Sequence, residues 1–350
     1  MLDPTWQNFL EQQGAHIQND TVQDFGAAAA ERSSTRDGTI LCDLSQSGIL
    51  RVSGEDAQSF LQNLCSNDIK AVRPQQAQLS SLNTAKGRVI ATFLIRQDDS
   101  GYLLHLPRAL CEAIRKKLTM YVLRAKVKIE DISTQQVCLG VAGTEAAALL
   151  QAALGEIPAT DLALTRHSEV DIMRLGAARF QIITSPAQAV ALWPRLSAQA
   201  RPVGSSCWDW LDIRAGRPTV LPATQEQFVL QMLNLDLLDG VSFKKGCYPG
   251  QEIVARVRYL GKIKQRTHLA HLDSAEAPQP NDVLFSDDYP NQTSGHILNA
   301  APAPQGGYDV LATLHSSTVQ ENRAVHWRSA EGPVLNFEAL PYPFPDESAG

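Results

Sequence analysis

Between residues 40 and 197 the chain runs twice through the same order of elements, and that repetition limits the folds open to it. Residues 48–53 alternate weakly as a strand, and Phe60, Leu61 and Leu64 then recur at helical spacing. Strand-like runs follow at 78–82, 89–96 and 102–106. Pro107 opens a helix carrying Leu110, Ile114, Leu118 and Val122. Residues 125–132 close the block as a strand with Val127 and Ile129 on one face. The second pass has a strand at 137–142 and an alanine-rich helix capped by Thr144 and running to about Leu154. Strands at 170–175 and 179–184 come next, then a helix from Ser185 and Pro186 through Val190, Trp193 and Leu196. Two such blocks predict two α+β units of related design, with helices packed on antiparallel sheets and the first unit starting near Ile40.

A length of 350 residues suits two or three domains. Residues 205–217 carry Trp208 and Trp210, which share a face if the segment is a strand. Residues 221–239 read as helical through Phe228, Met232, Leu233 and Leu237. After Arg266 short runs at 283–285, 296–298, 308–314 and 323–327 are broken by Pro, Asn, Gly and Asp, which predicts a small all-β domain, a barrel. The proline-rich, acidic tail at 341–350 is expected to be loose.

Charge and cysteine usage narrow the function classes. The formal net charge is −6, so attraction to a polyanion has to come from a local basic patch. Cys42, Cys65, Cys111, Cys138, Cys207 and Cys247 are scattered with no C-x-x-C pair. They read as free thiols in a reducing compartment, and as no zinc or permanent iron–sulfur ligand set, so no metal site is expected. No apolar run is long enough to span a bilayer, and residues 1–13, with Asp3 and Glu11, do not resemble a signal peptide. A cytoplasmic protein without a membrane partner is expected.

The segment richest in chemistry is 243–266. Gly246 and Gly250 permit backbone geometries closed to other residues, and Pro249 before Gly250 favours a tight turn. Cys247 and Tyr248 are therefore expected on a bent loop. A thiol reacts as the thiolate, which nearby cations favour. From 244 to 266 there are seven basic residues and one acid, Glu252, a local reversal of charge suited to a carboxylate tail, a phosphate or an RNA backbone. The plainer alternatives are a buried cysteine acting as a small apolar side chain, a solvated basic face, and a Tyr248 that covers a core edge.

Lys245-Gly246-Cys247-Tyr248-Pro249-Gly250-Gln251-Glu252 resembles the K-G-C-[FY]-x-G-Q-E motif of the YgfZ family. Gln227, Phe228 and residues 231–235 before it, and residues 252–256 and 259–262 after it, agree with the same pattern. Weaker matches run through residues 52–57, 60–62, 86–88 and 215–218. That family is similar in fold to the glycine-cleavage aminomethyltransferase. The resemblance implies an aminomethyltransferase-like, three-domain α+β arrangement. Two ferredoxin-like units, here 38–133 and 134–262, surround a central folate site, and a small C-terminal β-barrel covers 263–345. It implies tetrahydrofolate or a derivative as cofactor, and transient partners among iron–sulfur assembly factors or client enzymes, with an indirect effect on tRNA modification. It points to Cys247 as the catalytic thiol, and to Lys245, Tyr248, Gln251, Glu252 and Arg256 around it as folate-site residues. Trp208, eight residues before Gly216, is the implied indole beside the pterin; the plainer alternative is that Trp208 and Trp210 are both core. The chain departs from the aminomethyltransferase pattern twice. No Asp or Glu occurs from 69 to 97, where a carboxylate would move protons. Arg214 stands where an acid would accept hydrogen bonds from the pterin edge.

Three functions are thus in play. The first is a folate-binding accessory protein for assembly, repair or maintenance of iron–sulfur enzymes, with Cys247 as its thiol. The second is a one-carbon transferase or demethylase, with Glu252 or Asp209 supplying proton transfer. The third is a tRNA-binding module using Arg256, Arg258 and Lys264, although only Tyr248 and Tyr259 are available there for stacking.

Overall fold

The chain enters its fold well before Ile40. A computed structural model describes residues 2–260, 263–289 and 292–344, with the side chains of Tyr259 and Leu260 excepted. Gly261, Lys262 and the last residues of the acidic tail lie outside the described residues. Helix α1 (Pro4–Gln12) begins with proline at its first position and with the Asp3 carboxylate accepting from the Thr5 and Trp6 amides. Trp6 and Leu10, four apart on one face, are buried. A hairpin of β1 (His16–Gln18) and β2 (Thr21–Asp24) leads to α2 (Ala28–Asp37). There Glu31, 1% exposed, accepts from the amides of Phe25 at 2.8 Å, Ala27 at 3.1 Å and Gly204 at 3.0 Å.

The two predicted blocks follow. After a separate strand β3 (Ile40–Asp43), the first consists of β4 (Ser47–Ser53), α3 (Ala57–Gln62), β5 (Gln78–Asn83), β6 (Val89–Asp98), β7 (Gly101–Pro107), α4 (Arg108–Val122) and β8 (Lys128–Asp131). The second consists of β9 (Val137–Ala142), α5 (Ala146–Leu154), β10 (Leu164–His167), β11 (Val170–Arg174), β12 (Arg179–Thr184), α6 (Pro186–Ser197) and β13 (Arg201–Val203). Their sheets run β5-β6-β7-β4-β8 and β10-β11-β12-β9-β3-β13. The two orders match except that β3, which precedes the first block, is inserted in the second block's sheet. There it lies antiparallel to β9 and parallel to β13. Ser185 caps α6 as expected, its hydroxyl accepting from the Gln188 amide. Thr144 does not cap α5; Glu145 occupies that position without a side-chain hydrogen bond.

Two sequence readings are corrected further on. Residues 205–214 form a helix, α7 (Ser205–Arg214), not a strand. Trp208 and Trp210, two residues apart on a helix, are separated by about 200° and share no face. Residues 221–239 are not helical beyond one short 3-10 turn, Pro222–Thr224. Glu226, Asn234 and Asp239 all have positive φ there. Local turns carry the backbone bonding, as in the Met232 amide donating to the Val229 carbonyl at 3.0 Å, and polar side chains tie the segment to its neighbours. Gln231 Nε2 donates to the Val254 carbonyl at 2.7 Å and Asn234 Nδ2 to the Thr267 carbonyl at 2.8 Å, while Leu230, Leu233 and Leu235 fill the core. The apolar spacing reflects burial, not helical periodicity.

Helix α8 (Gln251–Leu260) precedes β14 (Gln265–Leu272), β15 (Val283–Ser286), β16 (Gly295–Pro302), β17 (Tyr308–His315), α9 (Ser316–Gln320), β18 (Val325–Trp327) and β19 (Leu335–Glu338). Their antiparallel sheet, ordered β18-β15-β16-β17-β14-β19, curls into a half-barrel. The chain as a whole divides into two compact units. One is built from Met1–Gln62, Asp68–Gln78 and Phe93–Trp208, the other from Asn63–Asn67, Leu79–Thr92 and Asp209–Gly350. Among the described residues no helix is long and apolar enough to cross a membrane.

Candidate functional site

The cysteine loop belongs to the second unit and is braced from beneath by Lys245. That side chain is 8% exposed, and its ammonium donates to the carbonyls of Cys65 at 2.5 Å and Asn67 at 3.0 Å. It also lies 5.2 Å from the centre of the Tyr248 ring. Tyr248 is buried, and burial pushes its phenol up to about 12. Between the buried Lys245 and Tyr248, Cys247 is exposed. The other five cysteines are buried. Burial drives the thiols of Cys65 and Cys111 up to about 12 and that of Cys138 to about 11, which suppresses their thiolates.

Pro249 and Gly250 turn the loop into α8, the Gln251 amide donating to the Tyr248 carbonyl at 3.1 Å. Gly250 has φ +81°, and a Cβ there would lie 2.5 Å from Gly87 Cα and 2.6 Å from both Gly87 N and Thr84 O. Gly87 itself has φ +71°. The cysteine loop therefore docks backbone to backbone on the turn 84–88, and two glycines make that approach possible. Gly246 has open space around it and no left-handed φ, so its conformational freedom is not used. Gln251 is half-buried at the start of α8, while Glu252 and Arg256 are exposed and lie four residues apart on one helix face.

The docked turn brings its own chemistry. Thr84, Ala85, Lys86 and Arg88 line an open cleft with Glu226 and Gln227, and the Arg88 guanidinium donates to the Gln227 carbonyl. Glu226 was not singled out from the sequence. It is far from 84–88 along the chain and is held at φ +60°, and no local pattern announces either fact.

The basic run does not form one surface. Lys245 is committed to carbonyls. Arg266 is buried, with its guanidinium paired at 2.9 and 3.0 Å to both oxygens of Asp236 and donating at 3.1 Å to the Gln231 carbonyl. The Arg258 guanidinium stacks 4.0 Å from the centre of the Phe243 ring. Lys244, Arg256, Arg258 and Lys264 remain exposed.

Trp208 lies in the first unit. It is 5% exposed, with the Arg179 guanidinium 4.9 Å from its ring centre. Its edge covers Gly140, where a Cβ would come within 2.4 Å of Trp208 Cζ3. Trp210 belongs to the second unit, where its Nε1 donates to Asp309 at 2.8 Å. Arg214 pairs with Asp309 at 3.3 Å and Glu338 at 2.6 Å, which gives that cation a structural partner set of its own. Asp209 is exposed.

Comparison with known proteins gives consistent findings. The GCVT N-terminal domain family matches residues 7–220. The tRNA-modifying protein YgfZ of Sodalis glossinidius (strain morsitans) is 29% identical over 307 residues, covering 86% of this chain and 92% of that protein. The tRNA-modifying protein YgfZ of Colwellia psychrerythraea is 30% identical over 279 residues, covering 79% and 85%. Among solved structures, the glycine cleavage system aminomethyltransferase T from Bartonella henselae superposes with a TM-score of 0.78 at 17% identity, over 96% of each chain. That likeness establishes a shared mixed α/β fold.

Proposed function

Since this chain belongs to the GCVT N-terminal domain family, and within it to the YgfZ proteins, we propose that it is a folate-binding accessory protein that supports tRNA modification by maintaining iron–sulfur enzymes, with Cys247 as its working thiol. The observation that carries this reading is the exposure of Cys247 on a braced loop in a chain whose other cysteines are buried. A reactive thiol has to meet its reactant without unfolding, and Cys247 alone among the six satisfies that condition.

Bound tetrahydrofolate, or a derivative, would supply a carrier for one-carbon units. The side chains suited to its anionic tail are Lys86 and Arg88, whose cations border an open cleft. Trp208 offers no open face for stacking, since its ring is covered by Arg179 and strand β9. In this reading it serves as a wall of the fold. Lys245 holds the loop in place, and Tyr248 backs it.

One-carbon transfer is the second reading. It is favoured by Glu226, a carboxylate that lines the cleft beside a turn whose own sequence contains none. Formation of a one-carbon folate product from an amine donor, lost in Glu226→Gln, would select it.

The first reading is tested by deleting the gene in its host and restoring either the natural protein or Cys247→Ser at equal abundance. The methylthio modification of tRNA, made by iron–sulfur enzymes, is then measured by mass spectrometry, and folate binding is measured on the purified proteins. The serine form is expected to fold and bind folate but fail to restore the modification. Full restoration would make the thiol dispensable and sink the reading.

A further inference from the structure

The half-barrel carries a row of polar side chains on a face that is apolar further along. Thr313 on β17 lies directly opposite both Thr267 on β14 and His296 on β16, and directly opposed residues share a face. Two residues along the same strands, Leu269 and Leu311 pair and join the core that holds Phe228. Thr313 and His296 border a cavity of about 130 Å³, which Phe228 and Met232 also line. Phe228 is fixed there, since it is buried and its carbonyl accepts from the Val89 amide at 2.8 Å. Arg88 is exposed and borders both this cavity and the open cleft. All of these residues belong to the second unit.

Hydrogen bonding fixes what the polar row can offer. Thr267 Oγ1 donates to the Met232 carbonyl at 2.8 Å, so in its 3.2 Å contact with Thr313 Oγ1 it is Thr313 that donates. The Thr313 oxygen is left with acceptor capacity only. His296 Nδ1 faces the Asn281 carbonyl at 3.4 Å. A carbonyl only accepts, so Nδ1 carries the proton and Nε2 is the acceptor of the neutral ring. The row therefore offers acceptors. Histidine aside, Arg88 is the one charged side chain bordering the cavity among the described residues. Its guanidinium donates once to the Gln227 carbonyl, which leaves its other N–H groups for an anion. Lys86 and Glu226 border the adjoining cleft, not this cavity.

We propose that the cavity binds a short-chain amino acid as its zwitterion, with the ammonium group on Thr313 and His296 and the carboxylate on Arg88. Each half of such a ligand needs the other. A simple amine would meet the Arg88 charge with nothing to offset it, and a simple carboxylate would leave the acceptors of the row without donors. The short carbon chain between the two ends lies against Phe228 and Met232. Size sets the rest: a cavity of about 150 Å³ holds a benzene-sized molecule, so one slightly smaller admits roughly five to seven non-hydrogen atoms. Binding here requires neither folate nor the Cys247 thiol, so it stands or falls apart from the proposed function.

The test titrates the purified full chain by calorimetry with glycine, β-alanine and γ-aminobutyrate, and with acetate and methylamine as the two halves of such a ligand. At least one of the three amino acids is expected to bind once per chain with a Kd below about 1 mM, and acetate and methylamine at least about tenfold more weakly. Thr313→Val removes the acceptor and Arg88→Gln the charge, and each is expected to weaken binding at least about tenfold. Thr313→Ser, which keeps the hydroxyl, is expected to restore it. Urea midpoints report whether each variant folds, and Arg88, being exposed, decides the matter if Thr313→Val does not. Tetrahydrofolate titrated in parallel is expected to bind Thr313→Val as it binds the natural protein. No binding of any of the three up to about 10 mM, equal binding of acetate or methylamine, or undiminished binding in Arg88→Gln overturns the proposal. So does a folded Thr313→Val that loses folate along with the amino acid, because the cavity would then be part of the folate site. An amino acid bound by a chain that binds no folate would sink the folate reading alone.

Discussion

Gly250 and Gly246 flank the same cysteine and look interchangeable in sequence, yet the structure assigns them opposite sensitivities. In Gly250→Ala the new methyl would meet three backbone atoms of the turn 84–88 at 2.5 to 2.6 Å. None of them is the end of a flexible side chain, so either the turn or the loop has to move. Overpacking of that kind costs about 1–3 kcal/mol. The left-handed φ of +81° adds roughly 1–2 kcal/mol for a residue with a Cβ. The sum is a loss of about 2–5 kcal/mol. Gly246→Ala meets nothing within 4 Å and should be neutral within ~0.5 kcal/mol or slightly stabilising. Urea unfolding followed by tryptophan fluorescence reads the difference. With a slope of about 1–3 kcal/mol per molar, Gly250→Ala should move the midpoint by roughly 1 M or more. The reaction of Cys247 with Ellman's reagent should change rate in the same variant, because the loop can no longer sit on the turn. Equal effects at the two glycines, or a neutral Gly250→Ala, would refute the backbone-to-backbone docking.

Other expectations follow from the same geometry. In the native protein Ellman's reagent should titrate one thiol, and none in Cys247→Ser, against six in denaturant; a second fast thiol would count against the burial of the rest. Lys245→Met removes a charged donor from two carbonyls and should cost about 2–4 kcal/mol, seen as a lower urea midpoint; an unchanged midpoint would mean the tether is idle. Asp236→Asn leaves the Arg266 guanidinium buried without its carboxylate and should cost about 3–5 kcal/mol by the same measurement. His268 is held down at about 4 by burial and, secondarily, by the Arg266 charge. Its folded value lies below the ordinary 6.5, so under acid the unfolded chain takes up the proton first. Stability is complete above pH 6.5 and declines as pH falls toward 4, by up to ~3 kcal/mol from this group. His105, buried and also held well below 6.5, adds in the same direction. Urea midpoints taken between pH 7.5 and 4.5 should fall less steeply in His268→Gln, and parallel slopes would remove this histidine from the account.

Most strands of the two blocks were legible because they alternate or run apolar, and β9 and β12 fall on the predicted residues, whereas β10 and β13 were missed because Leu164–His167 and Arg201–Val203 are too short and too polar to show either pattern. The N-terminal helix was missed although its signals are present: Asp3 before Pro4, then Trp6 and Leu10 four apart. A single turn and a half of apolar stripe is too short to stand out. Residues 221–239 misled because apolar spacing reports burial alone, and here successive local turns replace a helix while Gln231 and Asn234 tie the segment to the Val254 and Thr267 carbonyls. At the site, the motif around Cys247 and its bent loop were readable. The division of the basic run into buried and exposed cations was not, because Lys245 and Arg266 find their partners at Cys65, Asn67 and Asp236 through folding. Glu226 enters the cleft by the same non-local route.

The insertion of β3 between β9 and β13 has a consequence for the chain as it is made. Residues 40–43 leave the ribosome early, but one flanking strand, β9, ends at residue 142 and the other, β13, at residue 203. At about 5–20 residues per second the two edges wait on the order of five to twenty and ten to thirty seconds. Until β9 has emerged, Ile40, Leu41 and Cys42, all fully buried in the finished protein, have both strand edges open. A nascent chain stalled near residue 133 would hold a nearly complete first block and an orphaned apolar strand ahead of it. Such a chain is a natural client for a ribosome-associated chaperone, and fragments ending there should aggregate where fragments reaching past residue 203 remain dispersed.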